Sequence, residues 1–353
     1  MAYTTINKST DHFNTKLYTG NNSTNAQTGV GFQPDWLWIK CRSHADSSQL
    51  VDALRGTNAL RSDGTNAQSD IASNGFTSLD SDGFTLNGNG SGGNVNNSGR
   101  TYAAWNWKAG GTGSANTDGT INSTVSANTT AGFSIVKYTG NGLANSTVGH
   151  GLGAIPKMII IKGLTNTSAE NWRVFHNSVS NGRLVLNDND EVSNSTDFGA
   201  NGSGGTITQN INYFTIGDNA RVNGSGDEFI AYCFAEKTGY SKFGSYTGNG
   251  SSSSPTFIYT GFKPKFVIVK CTNEADEWFM HDDKRDGYND DNEYLFASVT
   301  NVEGTNTNRI RLLSNGFSVP TTDKSHNKSG NSYIYMAFGQ SIVGSNNVPC
   351  TAR

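Results

Sequence analysis

An Asp-x-x-Arg motif is the first pattern in the chain whose residue types and spacing suit binding chemistry. It occurs twice, and the third equivalent place has lost it: Asp52/Arg55, Asp282/Arg285 and His176/Val179. A carboxylate and a guanidinium three residues apart can bind a ligand together, or they can pair with each other and fix the turn after a strand. The sequence leaves both interpretations open.

The densest group of carboxylates begins within the second of these motifs. It comprises Asp282, Asp283, Asp286, Asp290, Asp291 and Glu293, and His281 directly precedes it. Carboxylate oxygens are the ligands that Ca²⁺ prefers, so a calcium site is one hypothesis for this segment. The segment has neither the EF-hand spacing nor a tandem Gly-Asp repeat, and we therefore assign no metal ligand.

The remaining residue types give no catalytic arrangement. No His-Glu-x-x-His pattern links the histidines, which are His12, His44, His150, His176, His281 and His326. The glycine-serine segments at 90–93 and 202–205 follow no apolar strand, so they are typical of loops rather than of a nucleophile elbow. A glycosidase needs two carboxylates across one bond, and the sequence leaves this class of enzyme open. We assign no catalytic or cofactor-binding residue and expect no cofactor.

Tryptophan side chains could bind sugars if they faced outward. The candidates are Trp36, Trp38, Trp105, Trp172 and Trp278. Trp36 and Trp38 alternate along one strand and should share a face, whereas Trp172 and Trp278 occupy equivalent places. Of the five, Trp105 is the one that we expect to face outward, although the strand period of two argues both ways. No sugar-binding residue is assigned.

These residues belong to a pattern that occurs three times. A Tyr-Thr-Gly-Asn turn starts at Tyr18, Tyr138 and Tyr246, and a proline-led apolar run that ends in lysine follows each turn, at 34–40, 156–162 and 264–270. An aromatic-rich strand then closes each repeat. The turns lie 120 and 108 residues apart, well above the roughly 20 to 50 residues of solenoid repeats. The pattern therefore predicts three copies of a whole small domain.

Each copy has the strand content of a β-sandwich. About six short apolar or alternating segments, separated by Gly, Asn and Ser, predict an all-β fold of three tandem antiparallel sandwiches that resemble jelly rolls. The predicted domains are 1–109, 121–238 and 239–340, with a flexible Gly/Ser/Asn-rich linker at 110–120 and a C-terminal tail at 341–353. The joint between the second and third copies is short, so we expect those two to move as one unit.

Aromatic residues that recur at equivalent places are expected in the core. One such place opens a strand and the other lies in the closing strand: Phe84, Phe214 and Phe317, then Trp107, Phe234 and Phe338. A matched aromatic is more often a packing residue than a ligand platform.

Composition and charge exclude several classes of partner. The net charge of −3 offers no basic stripe for a phosphate backbone, so we expect no nucleic acid partner. The apolar runs are far shorter than the roughly 18 residues needed to span a bilayer, so we expect no membrane insertion. The N-terminus lacks the apolar centre of a secretory signal, which predicts synthesis in a cytosol. The cysteines, Cys41, Cys233, Cys271 and Cys350, show no Cys-x-x-Cys spacing and are expected to be reduced thiols.

Four segments resemble a family of repeated virion-associated proteins that is abundant in marine bacteriophages, especially those of cyanobacteria. These segments are 31–40, 101–111, 149–162 and 239–250, and the similarity extends over nearly the whole chain, including its ending at 347–353. The resemblance implies a phage structural protein, and it transfers no catalytic motif.

The expected function is that of a non-enzymatic bacteriophage virion protein that is made in the cytoplasm of the bacterial host. It would act as a tail fibre or host-facing adhesin and make repeated weak contacts with host surface polysaccharide. The alternative is a capsid or tail decoration protein that stabilises the particle without a receptor, and a third class is a polysaccharide depolymerase. The expected partners are other virion proteins and further copies of the chain, for which a homotrimer is one arrangement.

Overall fold

The computed structural model describes residues 4–88, 93–165, 170–179, 182–199, 209–285, 289, 292–305, 308–341 and 343. Apart from a 3-10 turn at Ser9–Asp11 and one helical turn, α1, at Ala220–Asn223, the regular structure of these residues is β-strand. All ladders between the named strands are antiparallel. The all-β antiparallel fold predicted from the sequence is confirmed. Within the same ranges, no helix is long and apolar enough to cross a bilayer.

The strands follow the three repeats. Repeat 1 contains β1 (Phe13–Thr19), β2 (Asn25–Gln27), β3 (Trp36–Cys41), β4 (Gln49–Asp52), β5 (Asn58–Ala59), β6 (Ser69–Asp70), β7 (Phe76–Asp80), β8 (Gly83–Leu86) and β9 (Thr101–Trp107). The next group is β10 (Ser114–Asn116), β11 (Ser123–Asn128), β12 (Phe133–Thr139), β13 (Ser146–Gly149), β14 (Met158–Gly163), β15 (Arg173–His176), β16 (Gly182–Val185), β17 (Ser193–Asn194), β18 (Tyr213–Ile216) and β19 (Glu228–Phe234). Repeat 3 contains β20 (Ser241–Thr247), β21 (Thr256–Tyr259), β22 (Phe262–Cys271), β23 (Phe279–Asp282), β24 (Leu295–Phe296), β25 (Arg311–Leu313), β26 (Gly316–Val319) and β27 (Ser332–Ser341).

Each repeat folds into a large sheet and a small sheet. The large sheets have the strand orders β1-β9-β3-β4, β10-β11-β12-β19-β14-β15-β16-β17 and β20-β27-β22-β23-β24. The small sheets are β2-β8-β7, β13-β18 and β21-β26-β25, and β5 pairs separately with β6. In every large sheet the closing strand lies between the tyrosine strand and the proline-led strand, so the repeated sequence motifs mark the same three adjacent strands.

One face of each large sheet packs against the small sheet of the same repeat. These contacts form three separate apolar clusters, one per repeat. Phe84, Phe214 and Phe317 each lie fully buried in one of the clusters, as predicted from their equivalent positions.

The other face of each large sheet contributes to a fourth cluster that all three repeats share. The three equivalent closing-strand aromatics lie in it: the ring centroids of Trp107 and Phe338 are 5.9 Å apart, and those of Phe234 and Phe338 are 6.0 Å apart. Trp36 connects repeats 1 and 2, because its ring centroid lies 5.9 Å from that of Phe234. Each repeat therefore contacts both of the others around one aromatic core.

The interval 110–120 differs from the flexible linker that its composition predicts. Ser114–Asn116 forms β10, which pairs with β11 and extends the large sheet of repeat 2. Gly110 donates its backbone N–H to Ser126 Oγ at 2.9 Å. The linker prediction is wrong for these residues because their polar backbone groups are used in a sheet. Repeat 1 also shares the central core with repeats 2 and 3, so it is joined to both of them.

The repeated Tyr-Thr-Gly-Asn turn has the same structural role in each copy. The tyrosine hydroxyls donate to the backbone carbonyls of Val95, Val222 and His326, at 2.6, 2.7 and 2.8 Å. A Cβ placed on Gly20, Gly140 or Gly248 would lie 2.3 Å from a carbonyl oxygen of the facing loop. Only glycine permits this close approach, which explains why glycine occupies this position in all three repeats.

Replacing Phe338 with alanine should lower the free energy of unfolding by about 3–5 kcal/mol, because the lost aromatic ring leaves a cavity in the shared core. The Phe338 ring contacts rings of both other repeats, so calorimetry should show one transition that moves as a whole to lower temperature. Phe257→Ala is the control, since Phe257 is 48% exposed and its loss should change stability by less than about 0.5 kcal/mol. Separate transitions, of which only one shifts, would contradict the shared core.

Candidate functional site

Both Asp-x-x-Arg motifs form buried ion pairs that close a turn. Arg55 Nε lies 2.6 Å from Asp52 Oδ2, and Arg285 Nε lies 2.6 Å from Asp282 Oδ2. The second oxygen of each carboxylate accepts two backbone N–H groups, that of the arginine and that of the residue directly before it. The ion-pair interpretation of the motif is confirmed, and its carboxylates are already satisfied by protein donors.

Each motif also reaches a neighbouring repeat. Asp52 Oδ2 accepts the Tyr232 hydroxyl at 2.8 Å, so repeat 1 is bonded to repeat 2. Trp105 Nε1 donates to Asp282 Oδ2 at 3.0 Å, which bonds repeat 3 to repeat 1. In repeat 2 the equivalent residue is His176, whose Nε2 lies 3.2 Å from the Tyr335 carbonyl of repeat 3. The three contacts form a closed ring around the shared core.

The prediction that Trp105 faces outward is therefore wrong. Trp105 is fully buried, and its indole N–H is needed by a buried carboxylate of another repeat. The other four candidate tryptophans, Trp36, Trp38, Trp172 and Trp278, are buried as well. Trp172 and Trp278 donate their indole N–H groups to carbonyls of neighbouring repeats, those of Arg61 and Val185, each at 2.8 Å. None of the five is available to stack against a sugar.

The lysines that end the three proline-led strands form a second ring of contacts. Lys40, Lys162 and Lys270 are fully buried. Each ammonium group donates to a carbonyl of its own repeat: Asp46, Glu170 and Asp276, respectively. Each also donates to a carbonyl of a neighbouring repeat: Val299 at 2.7 Å, Thr65 at 2.7 Å and Asn189 at 3.0 Å. Repeat 1 thus contacts repeat 3, repeat 2 contacts repeat 1, and repeat 3 contacts repeat 2.

Burial alters the acidity of these amines. Loss of hydration lowers the pKa of Lys162 and of Lys270 to about 8. Burial also lowers the pKa of Lys40, and the carboxylate of Asp63, 3.5 Å away, opposes that shift. A lysine with a lowered pKa can serve as a nucleophile. Here the amines lie against backbone carbonyls inside the protein, so a role in holding the repeats together explains them better.

Two histidines of repeat 3 face each other in the interior. His281 Nε2 lies 2.9 Å from His326 Nε2, and both side chains are fully buried. Ser325 Oγ lies 2.7 Å from His326 Nδ1. Burial and the nearby charges of Arg285 and Arg309 lower the pKa of His281 to about 3, and burial also lowers the pKa of His326. The pair is accommodated in its neutral form, with one ring donating to the other.

Some of the carboxylates behind the calcium hypothesis form ion pairs, and others lie outside the described residues. Asp282 pairs with Arg285, and Glu293 lies 2.8 Å from Arg42 Nη2 of repeat 1. Asp286, Asp290 and Asp291 lie outside the described residues. Among the residues that the structure describes, no group of three or more His, Cys, Asp or Glu side chains could hold a metal ion. The calcium hypothesis stays a prediction.

The cysteines that the structure describes are free and buried. These are Cys41, Cys233 and Cys271, whereas Cys350 lies outside the described residues. The expectation of reduced thiols is confirmed for these three.

Phe257 and Tyr259 form the most conspicuous exposed aromatic patch. They alternate with buried Ile258 along β21, and their side chains are 48% and 53% exposed. A Cβ placed on Gly316 would lie 3.1 Å from the Phe257 ring, so this ring lies over the neighbouring strand β26. The two residues point to the same side of the sheet, roughly 7 Å apart along the strand.

This patch, which we call the β21 patch, is specific to repeat 3. The residues equivalent to Phe257 are Ala26 and Thr147, because β2 and β13 pair with the strands that correspond to β26. In repeat 2 the outer edge of β13 is covered by Ile121, which bridges to Val148. No described residue forms a corresponding bridge with β21. The patch therefore joins exposed rings to an open strand edge.

Three open clefts of about 300, 340 and 360 Å³ also lie on the surface. Their walls are formed by residues such as Gly110 and Ser114, Thr124 and Lys137, and Arg61. None of them includes a buried lysine, a motif carboxylate or a buried histidine.

Neither the ring of buried lysines nor the β21 patch is among the predictions from the sequence. A lysine at the end of three apolar runs is a detectable signal, because a charged residue rarely recurs in a buried strand without a partner. The alternation of Phe257, Ile258 and Tyr259 is also readable in the sequence. Which face of that strand is exposed could be known only from the packing.

Replacing Asp52 with asparagine should lower the free energy of unfolding by about 3–5 kcal/mol, because it leaves the buried Arg55 guanidinium without its counter-charge. Asp282→Asn should cost less, since Glu303 also lies 3.0 Å from Arg285. Asp11→Asn removes the exposed pair with Lys8 and should cost no more than about 1 kcal/mol. Urea denaturation measures all three. Equal effects of Asp52→Asn and Asp11→Asn would contradict the structural role of the buried pair.

Stability should fall as the pH is lowered from 7 to 5. The folded-state pKa values of His281 and His326 lie below the usual 6.5, so the unfolded chain binds more protons than the folded chain in this range. The free energy of unfolding therefore falls by up to about 1.4 kcal/mol per histidine for each pH unit. The double variant His281→Gln/His326→Gln should show a smaller slope in a pH series of urea denaturations.

His176→Gln provides an independent measurement in repeat 2, because burial lowers the pKa of His176 to about 4. It should also reduce the slope. An unchanged slope in both variants would rule out the neutral buried histidines as its cause.

Comparison with known proteins places the whole repeated region in one family. No curated protein and no solved structure matches the chain. The model of a family described as a domain of unknown function, DUF7483, matches residues 8–341. That range begins in the 3-10 turn region before β1 and ends with β27, so it takes in all three repeats and the core that they share. The chain therefore belongs to the DUF7483 family.

Proposed function

We propose that the chain is a non-enzymatic structural protein of a bacteriophage virion, and that it acts as a tail-fibre or other host-facing adhesin. The β21 patch is the surface through which it would contact polysaccharide of the host. The proposal rests on the sequence resemblance to marine phage virion proteins and on one structural observation. The chemically capable side chains that recur in the repeats are buried and used to join the repeats.

The buried groups support a structural role. The motif carboxylates, the three lysines and His176 each contact another repeat, and their donors and acceptors are taken up there. A catalytic base or nucleophile must reach a substrate atom at hydrogen-bond distance. These groups are enclosed by the shared core and by neighbouring repeats, so they contribute to stability rather than to a reaction.

The β21 patch supports a contact function. Tyrosine and phenylalanine supply large, rigid contact area, and the Tyr259 hydroxyl can also form hydrogen bonds. Two exposed rings on one chain give a weak site. Many copies on one particle would raise the total affinity through effective concentration, without new contacts in any single chain.

A second candidate is a capsid or tail decoration protein without a receptor. One observation favours it: the three repeats form a closed arrangement with a shared core, which suits a protein that stabilises a shell. In that case the β21 patch would contact another virion protein instead of a glycan.

Immunogold electron microscopy of intact virions tests the location. With antibody against the purified chain, an adhesin should give gold at the tail tip or fibres. Gold distributed over the head would favour decoration and overturn the adhesin, and an absence of gold would show that the chain is not accessible on the virion.

Competition for adsorption tests the patch. The purified chain should reduce phage adsorption to host cells, and the double variant Phe257→Ala/Tyr259→Ala should lose most of this effect while it keeps the thermal transition of the parent chain. Leu143→Ala is a matched control, because Leu143 is 65% exposed but lies in repeat 2. Equal competition by all three proteins would exclude the β21 patch as the receptor contact.

A further inference from the structure

A charged cluster distinguishes repeat 2 from the other two copies. It is built on β15 and β16, where Arg173 Nε and Arg183 Nε each lie 3.1 Å from Asp197 Oδ2. Two guanidinium groups therefore share one oxygen of one carboxylate. Asp197 itself is fully buried.

The equivalent strand positions of the other repeats are uncharged. Strand pairing places Gln49 and Ala59 there in repeat 1, and Phe279 and Tyr294 there in repeat 3. The two arginines of repeat 2 are therefore not required by the fold that the repeats share. Their role is specific to this copy.

The guanidinium of Arg173 has open donors although it is buried. Among the described residues, Nε and Nη1 of Arg173 have no hydrogen-bond partner, and neither carboxylate oxygen of Asp197 has one. The 3.1 Å approach between them is thus a contact of opposite charges without an aligned hydrogen bond. A buried guanidinium with open donors is unfavourable unless a further acceptor takes them.

Positive charge exceeds negative charge in this cluster. Arg221 Nε of α1 lies 2.9 Å from Glu170 Oε2. Burial lowers the pKa of Arg173 to about 10. The carboxylates of Asp197 and Glu170 oppose this shift, and the guanidinium groups of Arg183 and Arg221 add to it. Three guanidinium groups and two carboxylates therefore act on one another, which leaves one positive charge in excess.

Two of the arginines connect the cluster to solvent. The side chains of Arg183 and Arg221 are 23% and 46% exposed, whereas that of Arg173 is buried. A guanidinium presents a planar set of N–H donors that fits the oxygen atoms of an oxyanion. The partly exposed arginines attract such an ion from solvent, and the buried arginine offers it unused donors.

We propose that repeat 2 binds a small oxyanion, such as sulfate or phosphate, between Arg173 and Arg183. The ion accepts the open N–H groups of Arg173 and supplies the missing negative charge, and Arg221 adds to the positive potential around it. Because Arg173 is enclosed, the site suits a free ion rather than an acidic group carried on a polymer. It lies in another repeat than the β21 patch and does not depend on the proposed contact with the host.

Calorimetric titration with sodium sulfate at constant ionic strength tests the site. Sulfate should bind saturably, with one ion per chain, and should raise the temperature of the thermal transition, whereas chloride should do neither. Arg183→Gln should weaken sulfate binding about tenfold or more, as expected for the loss of a charge-assisted hydrogen bond.

Arg100→Gln is the matched control for this titration. It removes the same charge from a side chain that is 27% exposed and paired with Asp46 in repeat 1, so it should leave the affinity for sulfate unchanged. Equal effects of sulfate and chloride on the parent chain, or equal affinities of the Arg183→Gln and Arg100→Gln variants, would overturn the proposal.

Asp197→Asn should change the affinity in the opposite direction. The substitution removes the carboxylate that competes with the ion for the two arginines, so sulfate should bind about tenfold more tightly or better, by the same reasoning. A cluster that serves only as an internal ion pair predicts no such gain. Unchanged or weaker binding by the folded variant would therefore contradict the site.

Arginine side-chain NMR spectra of the parent chain locate the ion without any substitution. Sulfate should shift the Nε–H signals of Arg173 and Arg183. The signals of Arg55 and Arg285 are internal controls and should not move, because their Nε–H groups already donate to the aspartates of their own motifs. Shifts confined to other arginines, or no shifts at all, would overturn the proposal.

Discussion

The need to cover both faces of every large sheet determines the rest of this structure. Each large sheet carries apolar side chains on both of its faces, and the small sheet of the same repeat covers one of them. The second face would expose rings such as Trp36 and Phe234 to water if the repeat stood alone. Three repeats cover these faces together, since each supplies the surface that the other two lack. Burial of apolar area thus makes three similar segments into one body.

The shared core in turn dictates how polar groups are used around it. A buried ammonium or carboxylate is tolerated only where hydrogen-bond partners replace water. The repeats provide such partners for one another, so Lys162 reaches a carbonyl of repeat 1 and Asp282 accepts an indole N–H of repeat 1. These bonds are directional and fix the rotation of one repeat against the next. The aromatic core supplies most of the attraction, and the polar ring supplies the geometry.

Repeated and unique residues therefore have different roles in this arrangement. Residues found in all three copies, such as the turn glycine and the strand lysine, perform the same structural task three times. A surface for recognition has no such requirement and can reside in one copy, as the exposed Phe257 and Tyr259 do. Repetition along the chain is therefore a poor guide to a binding site in this protein, and deviation from the repeat is a better one.

The sequence by itself determined the all-β fold, the three copies and the aromatic anchors, because turn residues and strand periodicity are local properties. Phe214 and Phe338 were placed correctly in the core for this reason. The alternation of a strand tells which side chains share a face, but not what covers that face. For Trp105 the deciding fact was Asp282, which is 177 residues away in the chain. Residues 114–116, which lie within the glycine-rich interval 110–120, likewise became a strand only because β11 offered an unpaired edge. Contacts between repeats depend on which surfaces meet after folding, and the tertiary structure alone decided them.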